Sequence, residues 1–178
     1  MSLRAGNKYS LEITGLSHEG AGVGRLEGIA VFVTGALPGE QVEIVIEKVK
    51  KKFAIGRLSR VIIPSLHRIN PPCSIYRACG GCQFQHLDYK EQLEVKTKRV
   101  GDTLERIGKV KDFILKPAIG MLSPWHYRNK AQLHAGWHQG RVRLGYFKPG
   151  SWDLVPITTC NLLPEEFSSI VARLETLI

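Results

Sequence analysis

Three of the chain's four cysteines stand within ten positions, in CSIYRACGGC, spaced Cys73-x5-Cys79-x2-Cys82; the fourth, Cys160, lies 78 positions further on. Thiolates bind soft and borderline metals, and four of them complete either a zinc tetrahedron or an iron–sulfur cluster. Zinc ribbons bring two close pairs to the metal, one from each side of the site. A three-plus-one arrangement suits a cubane cluster, since one loop wraps three corners and a distant residue supplies the fourth; zinc stands as the alternative. Gly80 and Gly81 let the backbone approach and turn its amides toward sulfur. Cys160 as a nucleophile is the poorer reading, because TTCNLLP offers no local base and its use elsewhere would leave three thiolates one short. His86 is read as a hydrogen-bonding neighbour rather than a ligand, and His126, His134 and His138 have no metal-site spacing. No catalytic residue is assigned.

The chain that must position these cysteines has 178 residues, enough for one ordinary domain or two small ones, and 43% of them are hydrophobic, enough for a core. Lys and Arg number 25 against 16 Asp and Glu, a net charge of +9, which favours polyanionic partners. No apolar run approaches the ~20 residues of a membrane span, and MSLRAGNKYSLEI lacks the apolar stretch of a secretory signal. The expected location is the cytoplasm, where thiols stay reduced and clustered cysteines bind metal more often than they pair.

Strand-like stretches fill the first third: Lys8 to Leu16, Ile29 to Leu37, Glu40 to Val49 and Phe53 to Ile63. In the third of them Val42, Ile44 and Ile46 share one face, with Gln41, Glu43 and Glu47 on the other. Turn signals at His18–Gly24 and Pro38-Gly39 separate them, which predicts a small antiparallel barrel over residues 1–66. Gly20, Gly22 and Gly24 form a GxGxG, but RLEGIAVFV follows as a strand where a phosphate-binding loop would open a helix. The run EKVKKKFAIGRLSR offers Lys50, Lys51, Lys52 and Arg57 to phosphates from a barrel rim. This segment resembles a TRAM domain, an RNA-binding barrel of the oligonucleotide-binding type appended to RNA-modifying enzymes.

Beyond the cysteines, Tyr89, Leu93, Val100, Leu104 and Ile107 recur at helical spacing and Gly108 can end the element, predicting a helix over 88–108. AQLHAGWH, RVRLGYF and WDLVPI then read as strands, with a hairpin turn at His138-Gln139-Gly140-Arg141. The expected fold is mainly β with α: a TRAM-like barrel over 1–66, then an α+β domain over 67–178 that carries the cysteines.

The resemblance becomes specific in three places: Pro71-Pro72-Cys73 with CGGCQFQH and LDYKEQLEVKTKRV; WHYRNKAQLHAG from Trp125 to Gly136; and GYFKPGSWDLVPITTC from Gly145 to Cys160. In this order they look like the iron–sulfur uracil-5-methyltransferases, which methylate carbon 5 of uridines in RNA with S-adenosylmethionine. The resemblance implies that Cys73, Cys79, Cys82 and Cys160 hold a 4Fe-4S cluster and that residues 67–178 are an incomplete iron–sulfur central domain. It implies a sheet that offers Arg128, Lys130, Gln132, Arg143 and Lys148 to a folded RNA, with Tyr127, Tyr146 and Phe147 as stacking candidates that core packing also suits. The family's cofactor loop, nucleophilic cysteine and acidic base have no counterpart here, so the chain corresponds to an amino-terminal part lacking the methyltransferase domain that would bind S-adenosylmethionine. In the family the 88–108 helix packs on that domain; without it, its apolar stripe is a candidate for self-association. Structured ribosomal RNA, 23S in particular, is the expected partner ahead of transfer RNA. The competing class is a stand-alone RNA-binding adaptor with a structural four-cysteine zinc site. A radical enzyme is disfavoured by the five-residue first gap, where Cys-x3-Cys-x2-Cys is expected.

Overall fold

The structure, a computed structural model, describes residues 3–178. It divides into two compact units: residues up to Ile69 together with His86–Ala118, and Asn70–Gln85 together with Ile119–Ile178.

The first unit is a six-stranded sheet with the order β1-β5-β6-β4-β3-β2. Its strands are β1 (Lys8–Glu12), β2 (Gly15–Leu16), β3 (Gly22–Leu26), β4 (Ile29–Thr34), β5 (Gln41–Val49) and β6 (Phe53–Ile63). Alternation decides the faces: Val42, Ile44 and Ile46 of β5 are at most 1% exposed, and they pack with Leu11, Ile13, Val31, Val33 and Ala54 in one core. Each Val, Leu or Ile among them contributes roughly 1.5–3 kcal/mol by leaving water. Two expectations are corrected. The sheet is open rather than a closed barrel, and one pairing, β4 with β6, is parallel. β1 and β2, consecutive in the chain, pair at opposite ends of the sheet, so the two residues between them draw those ends together without a β1–β2 ladder; the Thr14 amide donates to the Val23 carbonyl at 2.9 Å. Ile13 instead donates its N–H to the Glu40 carbonyl at 2.9 Å. The parallel pairing arises because β6 inserts between β4 and β5, which the segment from Gly35 to Glu40 holds apart.

A buried carboxylate organises that segment. Glu40 is fully buried and accepts from the Leu37 amide at 2.8 Å, the Ser65 amide at 3.3 Å and the forked guanidinium of Arg68, whose Nη2 reaches Oε2 at 2.8 Å. Arg68 Nη2 also donates to the Gly35 carbonyl at 2.7 Å. Burial alone would raise the Glu40 pKa, but the Arg68 guanidinium and the two amides outweigh it and hold the carboxyl below its ordinary value.

Strand β3 was read in part as a turn, because two of its five residues are glycine. The structure shows why: a Cβ at Gly24 would stand 2.2 Å from the Glu12 carbonyl oxygen, and one at Gly22 2.8 Å from that of Ala36. These glycines admit close backbone approach inside a sheet and cradle no phosphate. Helix α1 (Tyr89–Arg106) completes the unit, capped by Asp88, whose carboxylate accepts from the Glu91 amide at 2.9 Å and pairs with His67 Nδ1 at 2.7 Å. Leu93 and Leu104 are half-buried, whereas Val100 and Ile107 are 53% and 78% exposed. Among the described residues no helix is long and apolar enough to cross a membrane.

The second unit holds a three-stranded antiparallel sheet, β7 (His134–His138), β8 (Arg141–Phe147) and β9 (Leu154–Pro156), and helix α2 (Glu166–Leu177). Gln139 and Gly140, at φ 50° and 80°, make the tight turn expected between β7 and β8. Pro156 has no N–H to give, and the Leu144 amide next to that end of the ladder donates to Glu175 of α2 at 2.7 Å. Glu175 also holds the Arg143 guanidinium at 2.9 Å; against the upward pull of burial, that amide and that cation keep its carboxyl below the ordinary value.

Candidate cysteine centre and nucleic-acid interface

The loop that carries three of the cysteines is coiled on itself. The Cys73 carbonyl accepts from the Tyr76 amide at 3.1 Å, and the Ile75 carbonyl accepts from the amides of Ala78 and Cys79 at 3.0 and 2.9 Å. Tyr76 donates its hydroxyl to the Gln83 carbonyl at 2.6 Å, and the Gly80 amide donates to the Phe147 carbonyl at 2.9 Å. At Gly80 a side chain would meet that carbonyl at 2.7 Å, so glycine is required. Cys160 reaches the loop from the far end of the unit. The chain after β9 is fixed by the His126 and Arg128 amides, which donate to the carbonyls of Asn161 and Leu162 at 2.9 Å each, and by His126 Nδ1 donating to the Leu163 carbonyl at 2.7 Å.

The outcome is one pocket lined by all four cysteines, with Tyr146, Arg128, Gln85 and Ile157 among its walls. Two sulfurs already receive N–H donors: Cys79 from the Gly81 amide at 3.3 Å and Cys82 from Gln85 Nε2 at 3.2 Å. Such bonds stabilise thiolate, and the Arg128 charge acts on Cys82 in the same sense. Burial, however, is the larger effect and raises both thiols above their ordinary value, with the neighbouring cysteines adding to it. The donor set therefore fits a thiolate-bound group by its chemistry, since a cation supplies the charge that burial otherwise penalises. As the side chains stand, no three His, Cys, Asp or Glu among the described residues converge in coordination geometry. The pocket as a whole has room for about one water, ≈ 20 Å³. The four side chains thus share one pocket without standing in coordination geometry.

The basic residues singled out in the sequence fall into two groups. In the first unit Lys50, Lys51 and Lys52 are exposed on the β5–β6 turn, and Arg57 is 62% exposed with Glu47 at 3.4 Å. The same sheet face carries aromatic surface that sequence reasoning missed: Phe32 and Phe53 meet edge to face at 5.7 Å, and the ladder pairs Phe32 with Ile55. The signal was present as alternation in IAVFV and FAIG, where the outward position is aromatic. In the second unit Lys130 and Gln132 are exposed, and Lys148 is 50% exposed beside Asp153 at 3.5 Å. Arg143 is committed to Glu175 with 12% of its side chain exposed. Arg128 lines the cysteine pocket, its guanidinium 5.9 Å from the centre of the Tyr127 ring. Tyr146 also lines that pocket, and burial raises its hydroxyl's pKa.

Residues 3–59 match the TRAM domain family. Over 173 residues, 97% of this chain and 37% of the relative, the sequence is 41% identical to a protein of Clostridium tetani named an uncharacterized RNA methyltransferase. A protein of the same name in Caldanaerobacter subterraneus subsp. tengcongensis is 47% identical over 89% of this chain and 35% of its own length. Among solved structures, the Pyrococcus abyssi tRNA (uracil-54, C5)-methyltransferase in complex with S-adenosyl-L-homocysteine is similar over 94% of this chain and 36% of its own, with TM-score 0.60 and 26% identity. The chain thus spans little more than a third of the relatives it matches, and it opens with a TRAM domain at residues 3–59.

Proposed function

We propose that this chain is the RNA-binding, cluster-bearing part of an S-adenosylmethionine-dependent RNA uracil-5-methyltransferase. The observation that carries the reading is the arrival of Cys160 in the pocket of Cys73, Cys79 and Cys82, from a stretch 78 positions away. Together with a TRAM domain and relatives named RNA methyltransferases, this supports one protein that grips RNA at one unit and is braced by thiolates at the other. The four cysteines would hold a 4Fe-4S cluster, which supplies cross-linking of the 70–85 loop to the chain after β9 rather than methyl-transfer chemistry. Gly81 and Gln85 would keep their N–H groups on the ligating sulfurs, and Arg128 would offset part of the thiolate charge. Lys50, Lys51, Lys52 and Arg57 would meet phosphates, with Phe32 and Phe53 offering rings beside them.

The RNA reading is tested by competition. The chain is bound to an unmodified 23S ribosomal RNA transcript and challenged with excess transfer RNA. Retention on the transcript is the expected result. Displacement by transfer RNA overturns the ribosomal preference, and binding to neither overturns the RNA reading.

A further inference from the structure

Among the described residues three polar or charged side chains are buried: Glu40, Gln85 and His86. Glu40 is accounted for by Arg68, whereas Gln85 answers to the cysteine loop. The stretch CQFQH that opens on the third loop cysteine carries two glutamines, of which Gln83 is exposed and Gln85 only 8% exposed. The Gln85 side chain holds two ligand positions at once. Its Oε1 accepts from the Cys73 amide at 3.3 Å, and its Nε2 donates to the Cys82 sulfur at 3.2 Å. The Cys73 amide can only donate, so it fixes which end of the side chain faces it and leaves the NH2 end for sulfur.

Burying an amide is unfavourable unless both of its ends find partners. A glutamine kept for packing alone could find them anywhere on the main chain; here both belong to the ligand loop, at its first and third cysteines. One planar amide therefore fixes the sulfur of Cys82 against the main chain of Cys73. Other bonds of the loop leave that relation open, since the Tyr76 hydroxyl ties the Gln83 carbonyl and the Gly80 amide ties that of Phe147. A donor of this kind orients a ligating sulfur, and by stabilising its negative charge it favours the reduced form of an iron–sulfur centre. We infer that Gln85 is a positioning residue of the thiolate site, holding Cys82 and Cys73 in the relation that a bound metal group requires. The inference rests on the reading of the four cysteines as metal ligands, and it gives that site a further required residue that touches no metal.

The test uses the chain purified without oxygen, as wild type, Gln85→Leu, Gln85→Asn and Tyr76→Phe, each loaded with excess iron and sulfide. Leucine removes both bonds at similar size, and asparagine, one methylene shorter, cannot reach both partners. Tyr76→Phe removes a loop bond that involves no sulfur. Two quantities are read: the rate of iron release to an excess of a ferrous chelator, and the midpoint potential of the loaded protein. Release is expected to be about ten- to hundredfold faster in Gln85→Leu, and faster by a smaller factor in Gln85→Asn. The midpoint potential is expected to fall in Gln85→Leu and to stay at the wild-type value in Tyr76→Phe. Failure of either Gln85 variant to load, with Tyr76→Phe loading normally, supports the inference at its limit. If both Gln85 variants release iron at the wild-type rate and keep its potential, Gln85 only packs; the inference is overturned and the cluster stands. If Tyr76→Phe matches Gln85→Leu in both quantities, general order of the loop is responsible and the inference again fails. If the wild-type chain takes up zinc without sulfide, the cluster reading falls, and zinc release from the same variants decides the role of Gln85. Uptake of neither metal overturns the site and the role of Gln85 with it.

Discussion

In the first unit Leu11, Ile13, Val31, Val33, Val42, Ile44, Ile46 and Ala54 are at most 2% exposed and pack as one core between strands. In the second, the most buried apolar side chains are Leu163, Ile157, Val171, Leu144, Val155 and Leu162, at 2–8%. The first unit therefore resembles an ordinary small β domain that apolar burial can hold. The second brings together a coiled loop, a three-stranded sheet and one helix around four thiols. Below roughly 80 residues a single core seldom suffices without a staple, and the thiol pocket sits where a staple would act. The lesson is that neighbouring parts of one chain can depend on different interactions for their order, and that each fails under a different insult.

The largest expected effect breaks the second unit alone. Cys160→Ser would remove one of the four proposed ligands, and structural thiolate sites contribute on the order of 10 kcal/mol of folding free energy. Hydrogen exchange should show protection lost across β7, β8 and β9 and retained in β5 and β6. Equal loss in both units would refute the separation. Next in size is Glu40→Ala, which leaves the Arg68 guanidinium without its buried partner. Removing one member of a buried ion pair costs about 3–5 kcal/mol, and urea unfolding should show that loss in the first unit. Ile44→Ala, in the same core, should cost about 2–5 kcal/mol and leave metal content unchanged.

These residues differ in how far the sequence announced them. The inward row Val42, Ile44 and Ile46 was legible from alternation alone, as were the β7–β8 hairpin and the α1 helix, because each is specified by local pattern. Strand β3 was half-hidden because Gly22 and Gly24 answer to close approach by Ala36 and Glu12, partners remote in sequence. The parallel β4–β6 pairing was not legible, since nothing local marks β6 inserting between its neighbours. Glu40 and Arg68, 28 positions apart, carry no local signal of their pairing, which only the fold creates. Arg143 likewise reads as a free cation until α2, which the sequence reading did not assign, brings Glu175 to it. The cysteine pocket was the most legible site, because the three-plus-one spacing has few other uses.

A pH titration sharpens the comparison further. The Glu40 carboxyl lies below its ordinary value in the folded chain, so its contribution is fully present above the unfolded carboxylate's pKa of about 4.3 and is lost as pH falls through the lower folded value. Urea midpoints of the first unit should fall as pH drops below about 5 in wild type, and the fall should be shallower in Glu40→Gln. The smallest effect on stability belongs to Lys50, Lys51 and Lys52 changed together to Ala: within about 0.5 kcal/mol on folding, yet the slope of log K against log salt for single-stranded RNA should lessen by about 2. An unchanged slope would remove the β5–β6 turn from the RNA surface.

The most direct test of the central claim is iron, acid-labile sulfide and zinc per chain, measured on protein purified without oxygen. About four irons and four sulfides are expected, absent from Cys160→Ser. One zinc without sulfide would contradict the cluster and leave a four-thiolate staple of another kind; neither metal at any level would contradict the staple itself.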